Sequence, residues 1–211
     1  MRVALVHAMT GSVQPIEEAF RKVAPNITLL HFMDTGLLDM LKKHGEITPN
    51  IIRRFSQLLS LAIEAEVDVI QLTCSAFNDL TSILQPLYNK KIFRSDEAML
   101  DEALNYNLIG VISTVNATPI ALRNYLFEKK SNVQVNALVN ENALELLQKG
   151  NNTGHDQIIK EMIRNLEKKV EVIVLSQYSM AHVANQVNVS VPILTGPFLT
   201  AKRCKEYLQN T

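Results

Sequence analysis

Short apolar runs alternate along this chain with longer stretches in which apolar residues recur at helical spacing. The first part of the chain has such runs at residues 3–6, 27–32, 67–72 and 92–93, each short enough for a buried strand. Between them, Thr48 and Pro49 predict a helix start, with threonine as the cap and proline at the first helical position. This alternation of strand and helix predicts an α/β fold in which helices cover a parallel sheet.

The pattern then repeats in the second part of the chain. The segment VDVIQLTCSAFNDL from Val67 and the segment VEVIVLSQYSMAHV from Val170 are identical at four of 14 positions. Their flanks agree in order and spacing, because residues 2–12 align with 108–118, 27–34 with 133–140, and 92–93 with 193–194. We therefore predict two homologous α/β halves related by a pseudo-two-fold axis.

The repeat also predicts where the halves begin and end. The first half comprises residues 1–94 together with 196–211, and the second comprises residues 95–195. The last segment predicts a helix that packs back on the first half, with Phe198, Cys204, Tyr207 and Leu208 as its buried positions. A length of 211 residues fits either one large α/β domain or two small halves.

Composition excludes several classes of partner. The chain has 21 basic and 21 acidic residues, so it carries no basic surface for nucleic acid or for a charged membrane. Its apolar runs stop well below the ~20 residues of a membrane helix, and no signal peptide is evident at Met1. Two cysteines do not form a disulfide framework. We expect a soluble, reduced, cytoplasmic protein.

Four polar turns follow the predicted strands, at residues 7–12, 73–75, 113–118 and 176–179. Open parallel sheets bind ligands beyond the carboxyl ends of their strands. If the two halves face each other, the four turns converge on one cleft, which would be the active site.

Cys74 is the most reactive candidate in these turns. It follows a buried strand and opens a predicted helix, where backbone N–H groups and the helix dipole favour a thiolate that serves as base or nucleophile. The alternative is a small buried side chain, which we expect for Cys204. Gln177, the repeat partner of Cys74, can hydrogen-bond a substrate but cannot exchange a proton, whereas the neighbouring Tyr178 could supply one.

Hydroxyl and amide side chains in the turns are candidates for binding a substrate carboxylate. In the second half they precede a predicted helix start at Thr118 and Pro119, which favours an anion, although simple capping explains them too. A histidine at the end of the first strand reaches either the ligand or the core. The candidate substrate-binding residues are His7, Thr10, Ser75, Ser113, Thr114, Asn116, Thr118 and Tyr178.

Cofactor motifs are missing from the sequence. Neither the dinucleotide pattern G-x-G-x-x-G nor the phosphate-binding pattern G-x-x-x-x-G-K-[ST] follows the first strand. The histidines and cysteines have no metal-ligand spacing, and His155 is expected to cap or to pack. We expect no cofactor and no metal.

Taken together, these motifs resemble the aspartate/glutamate/hydantoin racemase superfamily. The segment from Val67 resembles its first cysteine motif, and IGVISTVNATPIALRNYL resembles its threonine-rich carboxylate turn. The resemblance implies two Rossmann-like (flavodoxin-like) halves with parallel sheets, a cleft between them, no cofactor and a homodimer. It also implies an acid/base cysteine in each half, and Gln177 in place of the second one indicates a single-cysteine branch.

Three functions stay open at this point. The first is an enzyme that transfers a proton on, or decarboxylates, a small carboxylate with Cys74 as its acid/base group. The second is a non-catalytic or regulatory protein that binds a small carboxylate. A cysteine hydrolase would need a histidine beside Cys74, for which only His7 is available. The apolar residues Met9, Phe77 and Tyr178 indicate a substrate less charged than glutamate.

Overall fold

The computed structural model describes residues 1–211, which divide into two compact units. The first unit comprises Met1–Ser95 and Thr200–Thr211, and the second comprises Asp96–Leu199. Each unit contains one four-stranded sheet in which every pair of neighbouring strands is parallel. None of the helices combines the length and the apolar character that crossing a bilayer requires.

The two sheets have the same strand order, as the sequence repeat predicts. The first sheet has the order β2-β1-β3-β4, and its strands are β1 (Arg2–His7), β2 (Thr28–Met33), β3 (Val69–Leu72) and β4 (Ile92–Phe93). The second has the order β6-β5-β7-β8, and its strands are β5 (Leu108–Ser113), β6 (Gln134–Val139), β7 (Val172–Leu175) and β8 (Ile193–Thr195). The α/β architecture with parallel sheets is therefore confirmed.

Helices connect the strands in both units. The α-helices are α1 (Val13–Val23), α2 (Gly36–His44), α3 (Pro49–Glu64), α4 (Leu80–Leu84), α5 (Glu97–Ala103), α6 (Thr118–Lys129), α7 (Glu141–Gln148), α8 (Asn152–Glu167) and α9 (Gly196–Gln209). Four 3₁₀ segments supplement them, at Thr10–Ser12, Ser75–Phe77, Gln85–Leu87 and Tyr178–Gln186. The predicted cap of α3 is confirmed, because the Thr48 side chain accepts a hydrogen bond from the Ile51 N–H.

The two central strands of the second unit, β5 and β7, are almost entirely apolar because both faces of their sheet are covered. Alternate residues of β5 and β7 point to opposite faces of the sheet, and helices cover both faces. On one face Ile112, Ile173 and Leu175 pack with α8, whereas on the other Val111 and Val174 pack with α5 and α6. In the first unit α3 covers β1 and β3 in the same way.

Residues Thr200–Thr211, which include most of α9, belong to the first unit. The buried face expected for this helix is wrong at one position. The side chain of Phe198 is 51% exposed, whereas Cys204 is fully buried and Leu208 is 9% exposed. The Tyr207 ring meets the Phe93 ring edge-on with centroids 5.4 Å apart. Phe198 lies in the first turn of α9, in the part of the helix that belongs to the second unit.

Candidate functional site

A buried hydrogen-bonded cluster lies where β1 and β3 end, the carboxyl edge of the first sheet. His7 closes β1, Thr73 follows β3, and Ser12 ends the 3₁₀ segment between β1 and α1. The Nδ1 atom of His7 lies 2.8 Å from Ser12 Oγ and 2.8 Å from Thr73 Oγ1, and the two hydroxyl oxygens are 3.1 Å apart. All three side chains are buried, so the cluster is fixed by the fold.

This cluster continues outward through a second histidine. The Nε2 atom of His7 lies 3.0 Å from His31 Nδ1 in β2, and His31 Nε2 lies 3.3 Å from the Glu17 carboxylate in α1. We call Glu17, His31, His7, Ser12 and Thr73 the His7 network. Burial, followed by repulsion from His31, lowers the pKa of His7 to about 4, so its imidazole is neutral near pH 7.

His7 and His31 meet because of strand register. His7 pairs with Met33 and His31 pairs with Leu5, so the two histidines lie two residues apart in neighbouring parallel strands and share one face. The sequence leaves His7 open between a ligand contact and a core position, and it does not indicate a role for His31. In the structure both His7 nitrogens have hydrogen-bond partners inside the first unit.

Cys74 follows the network directly but does not have the thiolate environment expected from the sequence. The element after it is a three-residue 3₁₀ helix, Ser75–Phe77, which is too short to provide a substantial dipole. Burial raises the pKa of the Cys74 thiol and outweighs the opposing hydrogen bond from the Ala76 backbone. The thiol is therefore protonated at neutral pH, and its side chain remains partly exposed.

Cys204 has the structural environment that the sequence predicts. Its thiol is fully buried and donates to Gln71 Oε1 at 3.6 Å, and burial raises its pKa to about 12. The amide of Gln71 in β3 in turn donates to the carbonyls of Leu72 and Arg94. This contact fastens α9 to the centre of the first sheet.

The carboxyl edge of the second sheet is arranged differently, although it occupies the same place in the repeat. Gln177 Nε2 donates to Ser113 Oγ at 3.0 Å, and Gln177 Oε1 accepts from the Thr114 N–H at 3.2 Å. Ser113 Oγ donates to the Val115 carbonyl at 2.9 Å and accepts from the Val115 N–H at 3.1 Å. Gln177 therefore holds the turn of residues 113–115 in shape from within the second unit.

The remaining predicted site residues differ in accessibility. Thr10 and Asn116 are exposed, and Ser75 and Thr118 are partly exposed. Tyr178, predicted at the ligand, is only 6% exposed. The predicted threonine cap of α6 is wrong, because Thr118 is the first helical residue and Ala117 takes the cap position without a side-chain hydrogen bond.

One cluster in the second unit brings together two histidines and an aspartate that spacing along the sequence does not connect. His155 and Asp156 in α8 meet His182 in the 3₁₀ segment Tyr178–Gln186, and we call these three residues the His–Asp–His cluster. Burial opposes the charge on Asp156, but hydrogen bonds from both histidines lower its pKa overall. Sequence spacing does not reveal this cluster, because residues 156 and 182 meet only through the fold.

Comparison with known proteins finds similarity in structure but not in sequence. No family model matches the sequence, and no curated protein matches it significantly. Glutamate racemase from Francisella tularensis in complex with D-glutamate superposes with a TM-score of 0.71 at 16% identity, covering 99% of this chain and 81% of the other. Allantoin racemase from Klebsiella pneumoniae gives 0.73 at 18% identity, covering 100% and 88%.

A third structure matches along almost its entire length. An aspartate racemase homologue from Pyrococcus horikoshii gives a TM-score of 0.77 at 13% identity, and the match covers 99% of both chains. The chain therefore has the two-sheet α/β fold found in glutamate, aspartate and allantoin racemases.

Proposed function

We propose that this protein is a racemase-type enzyme that needs no cofactor and transfers a proton on a small carboxylic acid, with Cys74 as its acid/base group. The observation that carries the proposal is the position of Cys74, a partly exposed thiol at the carboxyl edge of a parallel sheet in a racemase fold. Parallel sheets bind their ligands at this edge. One matching racemase is described in complex with D-glutamate, which supports a carboxylate as the ligand.

The protonated state of Cys74 determines the direction of the first proton transfer. A thiol can donate its proton to the carbon of an enediolate, whereas abstraction of a Cα proton requires the thiolate. Because burial raises the pKa of Cys74, the thiol of the resting enzyme carries a proton that it can donate. A decarboxylation that ends in protonation of carbon should therefore keep its rate at neutral pH and slow only as the pH rises through the raised pKa of the thiol. An exchange that begins with abstraction should accelerate over the same rise in pH.

His7 acts as a positioning residue in this proposal. It holds Thr73, the residue immediately before Cys74, through the 2.8 Å contact with the threonine hydroxyl. Thr73 also donates to the Val6 carbonyl, so two contacts fix the backbone from which the thiol extends. An acid/base group must lie within hydrogen-bond reach of the proton it moves, and a fixed backbone provides this precision.

The accessible polar residues at the two carboxyl edges are the substrate-binding candidates. Thr10 and Ser75 belong to the first unit, and Asn116 and Thr118 belong to the second. We assign Gln177 to shaping the second turn, because both ends of its amide are engaged there. The substitution Gln177→Ala should then raise the KM, because it disturbs the turn, while retaining proton transfer.

The decisive experiment follows exchange of the Cα hydrogen in D2O by proton NMR. Both enantiomers of glutamate and aspartate, together with hydantoins and substituted malonates, are incubated with the wild type, Cys74→Ser and Cys204→Ser. We expect exchange or decarboxylation of at least one compound, its loss in Cys74→Ser and its retention in Cys204→Ser. Turnover that survives in Cys74→Ser would overturn the assignment of the thiol.

A second function is supported by the raised pKa of the same thiol. A protein that only binds a small carboxylate has no need of a thiolate, and Cys74 would then be an ordinary side chain. Calorimetry distinguishes the two: binding without product, unchanged in Cys74→Ser, would favour this function. A homodimer and a cytoplasmic location remain predictions.

A further inference from the structure

The His–Asp–His cluster brings three side chains of metal-binding type together in the second unit. His155 Nδ1 lies 2.8 Å from Asp156 Oδ1, and His182 Nε2 lies 2.9 Å from both oxygens of the Asp156 carboxylate. The ligand atoms of the three residues all lie within 4.8 Å of one another. The cluster lies at the start of α8 and in the 3₁₀ segment after β7, so both secondary structure elements are at the carboxyl edge of the second sheet.

The burial of His155 gives independent evidence that its Nδ1 atom has a function. The side chain is fully buried, and its Nε2 atom has no hydrogen-bond partner. A buried polar atom without a partner is costly, and an apolar side chain would fill the same space without that cost. The remaining polar contact of the ring is the one that Nδ1 makes within the cluster. A function of the histidine therefore acts through Nδ1.

From this arrangement we propose that His155 Nδ1, the Asp156 carboxylate and His182 Nε2 bind one divalent transition-metal ion of the Zn²⁺ type. Two imidazole nitrogens and one carboxylate suit borderline ions such as Zn²⁺, Co²⁺ and Ni²⁺ better than Mg²⁺ or Ca²⁺, which prefer oxygen ligands. Three protein ligands leave at least one coordination position for water or for a small anion.

The geometry is close to what such an ion requires. Ligand bonds of about 2.0–2.1 Å in a tetrahedral site put neighbouring ligand atoms ~3.3 Å apart, so the two histidine–aspartate contacts must open by roughly 0.4 Å. The two histidine nitrogens, which lie within 4.8 Å of each other, must reach the same separation. His182 provides this freedom, because its side chain is 46% exposed and lies in a 3₁₀ segment. The same exposure gives an ion a path to the site.

Binding requires each ring nitrogen that faces Asp156 to release its proton. In the ion-free cluster each ring directs an N–H at the Asp156 carboxylate, which can only accept a hydrogen bond. With an ion bound, the proton of His155 moves to Nε2 and that of His182 moves to Nδ1, and both freed nitrogens coordinate. Because the buried Nε2–H of His155 then lacks an acceptor, we expect micromolar affinity and not the tighter binding of a structural zinc site.

The test is calorimetric titration of the tag-free chain with ZnCl₂, in a Cys74→Ser background that removes the partly exposed thiol as a ligand. We expect one Zn²⁺ per chain, and His182→Ala should weaken binding by at least about tenfold. His44→Ala, which removes an exposed histidine of the first unit, is the matched control and should bind normally. The visible spectrum of bound Co²⁺ should report nitrogen and oxygen ligands in the parent and should disappear in His182→Ala.

Two results would overturn the proposal. One is the absence of stoichiometric binding by the parent, and the other is binding of equal affinity in His182→Ala. Asp156→Asn provides a second variant if circular dichroism shows that His182→Ala is misfolded, and it should lose the ion as well. The test needs no substrate, so its outcome is independent of the proposed racemase-type activity.

Discussion

The buried imidazole of His7 makes the stability of the protein depend on pH. Its pKa is about 4 in the folded protein and 6.5 when unperturbed, so the unfolded chain binds this proton more readily. The stabilisation that comes from keeping His7 neutral in the folded protein is therefore fully present above pH 6.5. It is lost as the pH falls from 6.5 towards 4. The full loss is about 3 kcal/mol, of which about 2 kcal/mol is lost between pH 8 and pH 5.

Urea unfolding of the wild type and His7→Gln at pH 8 and pH 5 measures this contribution. The variant should be less stable at pH 8, because it disturbs the contacts with Ser12 and Thr73. Between pH 8 and pH 5, however, the free energy of unfolding of the variant should fall by about 2 kcal/mol less than that of the wild type. Comparing the two proteins cancels the titration of the other groups.

His44→Gln is the matched control, because it removes an exposed histidine and should leave the pH dependence unchanged. Equal losses in the wild type and His7→Gln would refute the reasoning, since they would mean that His7 accepts a proton in the folded protein. His31 in β2 contacts His7, and Glu17 in α1 contacts His31, so the same measurement on Glu17→Gln tests whether this pair alters the titration of His7.

Two more predictions concern Cys74 and the packing of β5. Alkylation of Cys74 by iodoacetamide, followed by peptide mapping, should be slow at pH 7 and titrate above the ordinary ~8.5 of a free thiol, and fast labelling at pH 7 would contradict this. Gly110→Ala should destabilise the protein by about 1–3 kcal/mol in thermal unfolding, because its Cβ would lie 3.1 Å from both Leu166 and Val170. A Tm equal to that of the wild type would show that the side chains of Leu166 and Val170 move aside without cost.

The regular parts of this fold could be predicted because local patterns determine them. Apolar runs predict the strands, Thr48 and Pro49 predict the start of α3, and the internal repeat predicts that both sheets have one strand order. These features depend on residues close in sequence or on similarity between aligned segments. They therefore need no knowledge of which side chains meet across the fold.

The chemistry of the candidate site could not be predicted in the same way. The state of Cys74 depends on how deeply the surrounding chain buries it, and this burial outweighs the local hydrogen bond from Ala76. The contact between His7 and His31 requires the exact register of β1 and β2. His182 reaches Asp156 across 26 residues, a distance at which spacing along the chain carries no information.

The position of α9 has a consequence for the order in which the units are completed. Residues of the second unit are contiguous, whereas Thr200–Thr211 follow them and belong to the first unit. During synthesis the second unit can fold as soon as it emerges, but Gln71 receives its contact from Cys204 only later. Of the two units, the one whose residues are synthesised first is therefore completed last.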